Sequence, residues 1–166
     1  MRSLSLALAV LALGAAPALA QTPDQPPPDA KPAAKPATPS ADQLQWGKAP
    51  PGLPEGAEVA VLAGDPTKPG EFTIRVRMPD GYRVAPHMHP TAESVEVLSG
   101  VLLVAHGENM RVTGPATLEA GGKLELAAGT PHSVTARGIT IIEIKSTGPF
   151  EIKYLNQADD PRNTGT

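Results

Sequence analysis

Residues 81–100 read GYRVAPHMHPTAESVEVLSG, and the fold turns on how that stretch is laid out. In an extended strand residues i and i+2 point the same way, so His87 and His89 can put both imidazoles into one cavity. Pro90 then breaks the strand, because it has no backbone N–H to give to a ladder. In the apolar run that follows, Glu93, Val95 and Val97 share one side, while Ser94, Glu96 and Leu98 share the other. If the valines face a core, Glu93 faces it too. A carboxylate buried without a partner is expensive, so it must be ion-paired, hydrogen-bonded or bound to metal. The two histidines supply a reason: with Glu93 they make three ligands able to hold a divalent cation.

On both sides of this stretch, from Glu55 onward, short runs are bounded by Gly, Pro and Asp. Glu58–Ala63, Phe72–Met78, Ser94–Leu98, Val101–Ala105, Lys123–Leu126, His132–Thr135, Ile139–Ile144 and Phe150–Tyr154 all read as strands. Phe72, Ile74, Val76 and Met78 alternate with Thr73, Arg75 and Arg77, which predicts one face in a core and one in water. Ser99-Gly100 and Arg137-Gly138 read as hairpin turns. Val101–Val104 and Ile139–Ile144 are apolar on both faces, which predicts an outer cover such as a second subunit. Eight short strands without a convincing helix predict an all-β sandwich or barrel.

Composition narrows the function. The 166 residues carry 14 basic and 17 acidic side chains, too balanced to offer a footprint for nucleic acid. There is no Cys, which removes disulfides, zinc–thiolate sites and cysteine nucleophiles together. No glycine-rich phosphate loop and no GxSxG nucleophile turn occurs. Residues 1–20 combine Arg2, an apolar run from Leu4 to Leu13 and Ala18-Leu19-Ala20, the pattern of a secretory signal peptide cleaved after Ala20. That predicts a periplasmic or secreted protein with no membrane span after cleavage. Residues 21–54 are Pro- and Ala-rich and read as a tether and irregular lead-in, with Trp46 packing one aromatic onto the domain. The barrel is expected over 55–160 and a flexible end over 161–166.

The motif resembles that of the cupin superfamily. The first cupin pattern, G(X)5HXH(X)3,4E(X)6G, is filled at every fixed position by Gly81, His87, His89, Glu93 and Gly100. The second, G(X)5PXG(X)2H(X)3N, is met by Gly121, Gly129 and His132, with Ala127 for the usual Pro and Ala136 for the usual Asn. The resemblance covers roughly residues 56–156. It implies a single-domain jelly-roll β-barrel, a double-stranded β-helix, with His87, His89, Glu93 and His132 around one divalent ion. Imidazole and carboxylate suit Fe, Mn, Ni, Cu or Zn, and four protein ligands leave two octahedral positions open. The wider arrangement is similar to small secreted bacterial single-cupin proteins.

Two functions follow from that site. One is a metal-dependent enzyme on a small molecule, dioxygenase-like or a Lewis-acid isomerase or hydrolase, with Glu93 serving as base. The other is a non-catalytic metal or small-ligand binding or sensor protein. Neither implies a nucleic-acid partner, and a homodimer is expected over the doubly apolar strands. Other polar residues have plainer readings. Glu96 belongs to the opposite strand face and suits solvent or a subunit contact. His106 falls in a polar turn and is expected to be exposed. Alternation sends Arg75 and Arg77 to solvent; facing inward, they and Arg83 would grip an anionic substrate. Met88 points away from the two histidines as a packing or interface residue. Tyr82 and Tyr154 are expected to pack in the core with their hydroxyls at the rim.

Overall fold

The computed structural model describes residues 43–107 and 116–163. The leader expected over 1–20, the tether up to residue 42 and the last residues, 164–166, lie outside them. Nine strands are described: β1 (Gly47–Lys48), β2 (Glu58–Ala63), β3 (Gly70–Met78), β4 (Arg83–Met88), β5 (Glu93–His106), β6 (Ala116–Glu119), β7 (Lys123–Leu126), β8 (His132–Gly148) and β9 (Lys153–Tyr154). All pairings are antiparallel. Two strands are unusually long, β5 with 14 residues and β8 with 17, and they belong to both halves of the barrel.

The first half of β5 and the second half of β8 lie beside each other, with β3, β2 and β1 beyond β8 and β7 beyond β5. The second half of β5 and the first half of β8 pair again, now with β4 and β9 beyond β8 and β6 beyond β5. One continuous sheet therefore folds over at a corner and closes on itself, the jelly-roll arrangement of a double-stranded β-helix. Phe72, Ile74, Val76, Met78, Val95, Val97, Leu102, Val104, Ile142 and Ile144 form its apolar interior.

The corner corrects an expectation. Ser99-Gly100 and Arg137-Gly138 are not hairpin turns; they sit close together in two paired strands. The register slips from Val97↔Ile142 through Ser99↔Ile141 to Val101↔Arg137, so β8 carries extra residues and both strands bend together. Gly100 has φ +77, and a Cβ there would lie 2.5 Å from the Ile139 carbonyl oxygen. The fully buried Thr140 ties the bend, its hydroxyl donating to the Val101 carbonyl at 3.1 Å and accepting from the Val101 N–H at 3.3 Å. Two turn-like dipeptides facing each other make one bend rather than two reversals.

Arg75 is a second correction. Its neighbours Phe72, Ile74, Val76 and Met78 are buried as the alternation requires, but Arg75 is itself only 6% exposed. It lies outside the apolar interior, opposite Glu143 across the β3–β8 ladder, where its Nε and Nη2 both meet Glu143 Oε2 at 3.2 Å. Alternation reports which face a residue occupies, not whether that face is wet. Arg77, next but one, pairs with Glu58 and lies 4.6 Å under the Trp46 ring, which packs on the domain as expected.

The sheet also takes in residues ahead of Glu55, since β1 pairs with β2. Past β9 the chain makes two short 3-10 turns, Gln157–Asp159 and Pro161–Asn163. Arg162 is anchored there, forked onto the Asp160 carboxylate with a further bond to the Ile152 carbonyl.

Candidate metal centre

β4 delivers His87 facing inward and the residue just beyond it, His89, to the same side; both are buried, at 4% and 5% exposure. β5 delivers Glu93 on the side of Val95 and Val97, with the parity the sequence predicts, and it too is buried. β8 begins with His132, the register partner of His87. One ring nitrogen from each of His87, His89 and His132 lies within 4.8 Å of the other two, so the three can hold a metal ion.

Each ring is oriented by a backbone carbonyl. Nδ1 donates to the Ala85 carbonyl from His87 at 2.7 Å, to the Glu151 carbonyl from His89 at 2.8 Å and to the Thr130 carbonyl from His132 at 3.1 Å. A carbonyl oxygen can only accept, so each Nδ1 carries a proton, and in a neutral ring the lone pair is then on Nε2. Burial favours that neutral form. It pushes the His87 pKa down to about 3, with the His132 ring adding to the effect. Burial also lowers His89, against the opposing pull of Glu93. Phe150 stacks on His89 with ring centroids 4.3 Å apart and planes 11° from parallel, and Phe72 meets Phe150 edge-on.

Glu93 lies beside the group formed by the three histidines. Its Oε1 lies 3.0 Å from His132 Nε2 and 3.7 Å from His89 Nε2, yet it receives no hydrogen bond. With Nδ1 bonded to a carbonyl, a neutral ring turns its Nε2 lone pair toward this oxygen, so lone pairs meet lone pairs in a buried space. A cation shared among these atoms turns that repulsion into coordination. The donor set therefore fits a divalent transition ion on the chemistry of its own residues.

The other sequence candidates do not join this set, though the Tyr154 ring lies 5.8 Å from that of His87. Glu96 faces out and pairs with Lys123 at 3.1 Å. Arg75 and Arg77 are held on the outer face, and Arg83 is exposed. Tyr82 and Tyr154 are buried with their hydroxyls donating to the Pro54 carbonyl at 2.7 Å and the Gly52 carbonyl at 2.9 Å. Burial raises both, Tyr154 to about 12, so these hydroxyls remain protonated donors. His106 is not an exposed turn residue: it ends β5 in register with His132 and is half-buried. Ala136, in place of the cupin asparagine, is buried in the core and gives the centre no polar support. Ala127 opens the turn closed by the Thr130 N–H.

Reasoning from the sequence did not find the orienting groups. Ala85 and Thr130 each lie two residues before the histidine they hold, a spacing that could have been searched. Phe150 and Glu151 are about sixty positions from His89 and left no local signal.

Comparison with known proteins agrees with this geometry. A family model, the ChrR cupin-like domain, matches residues 35–113, which include His87, His89 and Glu93 but stop short of His132. Among solved structures, the chain is similar to an RmlC-like cupin from Shewanella frigidimarina NCIMB 400, with TM-score 0.51 and 13% identity over 67% of this chain and 89% of that one. It is also similar to the polyketide cyclase RemF from Streptomyces resistomycificus (TM-score 0.61, 14% identity, 75% and 89% covered). A third, a candidate acetylacetone dioxygenase from Methylibium petroleiphilum PM1, gives TM-score 0.57 and 21% identity over 76% and 85%. The family match and these shared folds together support the cupin superfamily. No curated protein matches its sequence.

Proposed function

We propose that this cupin is a secreted, metal-dependent enzyme acting on a small molecule, with His87, His89, His132 and Glu93 holding one divalent ion. The observation that carries the reading is the buried Glu93 Oε1, which faces the Nε2 atoms of His89 and His132 and has no hydrogen-bond partner. When bound, such an ion supplies Lewis acidity and, for Fe, Ni or Cu, electron-transfer capacity toward dioxygen. The protein residues do the rest. The three carbonyl-locked histidines fix where a ligand's oxygens must sit. The walls around them are aliphatic and give a bound ligand apolar surroundings. Glu93 is the inward carboxylate of the centre, so it is the group that would take a proton from the ligand.

The neighbours' descriptions, a cyclase and a candidate dioxygenase, belong to different chemistries on one fold, so the fold does not choose between them. A second reading, binding without turnover, is favoured by a specific observation: the Tyr82 and Tyr154 hydroxyls are spent on backbone carbonyls and offer no second acid or base. The reading includes a homodimer over the corner, where Ile139 is 68% exposed; a monomer at micromolar concentration in sedimentation removes that part.

The test is metal analysis of the untagged protein from its own host, expected to give about one transition ion per chain. No retained ion, together with no thermal stabilisation by Fe(II), Mn(II), Ni(II), Cu(II) or Zn(II), overturns the reading. Oxygen uptake or product formation with catechols, flavonols, thiols and diketones then separates enzyme from binder.

A further inference from the structure

The barrel interior is hollow. The centre opens on a cavity of about 700 Å³, where a close-packed core leaves few voids larger than a water molecule. That volume is in the range of small-molecule sites. The wall is aliphatic, with Ile74, Val76, Val95 and Ile142 from one half of the sheet and Leu102 and Val104 from the other.

The polar side chains on that lining outside the metal set have partners within the protein, and the charged ones are solvent-exposed. Tyr82 is bonded to the Pro54 carbonyl, Thr67 to Asp65 at 2.6 Å, and Glu151 lies 3.6 Å from Lys153. Of the lining cations, Lys48 meets Glu55 at 3.4 Å. Arg162 is forked onto Asp160, its Nε 2.8 Å from Oδ1 and its Nη2 2.7 Å from Oδ2. Arg75 and Arg77, the cations that would have gripped an anionic substrate, are on the outer face. A sugar hydroxyl, phosphate or second carboxylate set against the aliphatic wall would lose its water and find no partner there, since the charged lining residues Lys48, Glu151 and Arg162 are solvent-exposed.

We infer that the site takes a molecule with a single oxygen-donor head, such as an enediol, catechol, diketone or hydroxamate, joined to an uncharged apolar body that lies along the aliphatic wall. The head rests on the metal reading above. The body rests on the cavity alone.

The test uses n-alkyl hydroxamates, from acetohydroxamate to octanohydroxamate, titrated into the nickel-loaded protein. One buried CH2 is worth enough to tighten binding about fourfold, so Kd is expected to fall about fourfold per methylene until the tail fills the cavity. Suberic monohydroxamate, of equal length but ending in a carboxylate, is expected to bind at least about tenfold more weakly than octanohydroxamate. Filling the cavity with Ile74→Phe, or separately with Val134→Phe at a lining position of β8, should flatten the gradient. Ethanol to octanol on metal-stripped protein should give the same gradient without the head. Affinity independent of tail length with the ion still bound overturns this inference and spares the metal centre. A tail gradient in alkanols without any ion binding supports the apolar body and sinks the metal reading instead. A gradient that survives in both filled variants shows binding outside the cavity and overturns the inference.

Discussion

Two buried carboxylates sit on neighbouring strands of the same sheet, and their surroundings differ. Glu143, on β8, lies outside the apolar interior and is answered: Arg75 meets it twice at 3.2 Å, and Lys145 lies 3.4 Å from its other oxygen. Glu93, on β5, faces the interior and is not answered: two imidazole nitrogens approach it, and no hydrogen bond reaches its Oε1. The first is a closed ion pair whose charges cancel within the protein. The second is an open set that wants one more positive charge. Burial alone marks neither as functional; the missing donor separates them.

The contrast breaks most visibly at Arg75. Arg75→Leu leaves Glu143 buried with only the exposed Lys145 beside it, a change expected to cost about 3 kcal/mol in chemical denaturation. A loss under about 1 kcal/mol would mean the pair is not closed in the sense argued. At the other carboxylate the effect runs through the ion. A divalent ion at a hundredfold excess over its Kd should stabilise the wild-type protein by about 2.7 kcal/mol. Four-ligand structural sites reach about 10–16 kcal/mol in all, so one ligand is worth roughly 3 kcal/mol. His132→Ala should therefore weaken the ion about a hundredfold and remove that stabilisation at the same concentration. Equal stabilisation of both proteins in a thermal melt would exclude His132 from the site.

Removing the charge should act in opposite directions at the two carboxylates. In metal-stripped protein Glu93→Gln places an amide N–H opposite His132 Nε2 and turns the lone-pair contact into a hydrogen bond. Its stability should rise by about 1 kcal/mol, while its affinity for the ion falls. Glu143→Gln should only destabilise. If Glu93→Gln lowers the stability of the stripped protein as well, Glu93 is already satisfied and the reason for invoking a cation disappears.

The inward half of this contrast was legible in the sequence. His87 and His89 two apart, and Glu93 in phase with Val95 and Val97, fix three side chains by strand geometry alone, and the cupin pattern adds His132. The outward half was not. Thr73, Arg75 and Arg77 alternate with apolar residues, but the partner that buries Arg75 is 68 positions away, and no local period reports it. The corner failed for a related reason. Ser99-Gly100 and Arg137-Gly138 each carry turn chemistry, and only their pairing across β5 and β8 makes them a bend in two long strands. The cavity follows from neither pattern, because apolar periodicity tells which side chains point inward and not whether they meet.

Glu96 sharpens the comparison with the smallest effect. It is three residues from Glu93 on the same strand, but it faces outward, where its register partners are Lys123 on one side and Glu143 on the other. The Lys123 contact is 3.1 Å long, with side-chain exposures of 64% and 34%, so solvent screens most of it. The like charge of Glu143 directly opposite works against it. Glu96→Gln removes a weak attraction and a weak repulsion together, and the net change in unfolding free energy should stay within about 0.5 kcal/mol. Ion affinity should not move, because the strand puts this side chain on the far side of the sheet from His132. A larger loss of stability would mean that Arg75, Glu143, Glu96 and Lys123 act as one coupled row, and Glu143 would then owe its satisfaction to more than Arg75. A change in ion affinity would carry that coupling through the sheet to Glu93, and the two carboxylates could no longer be treated as separate cases.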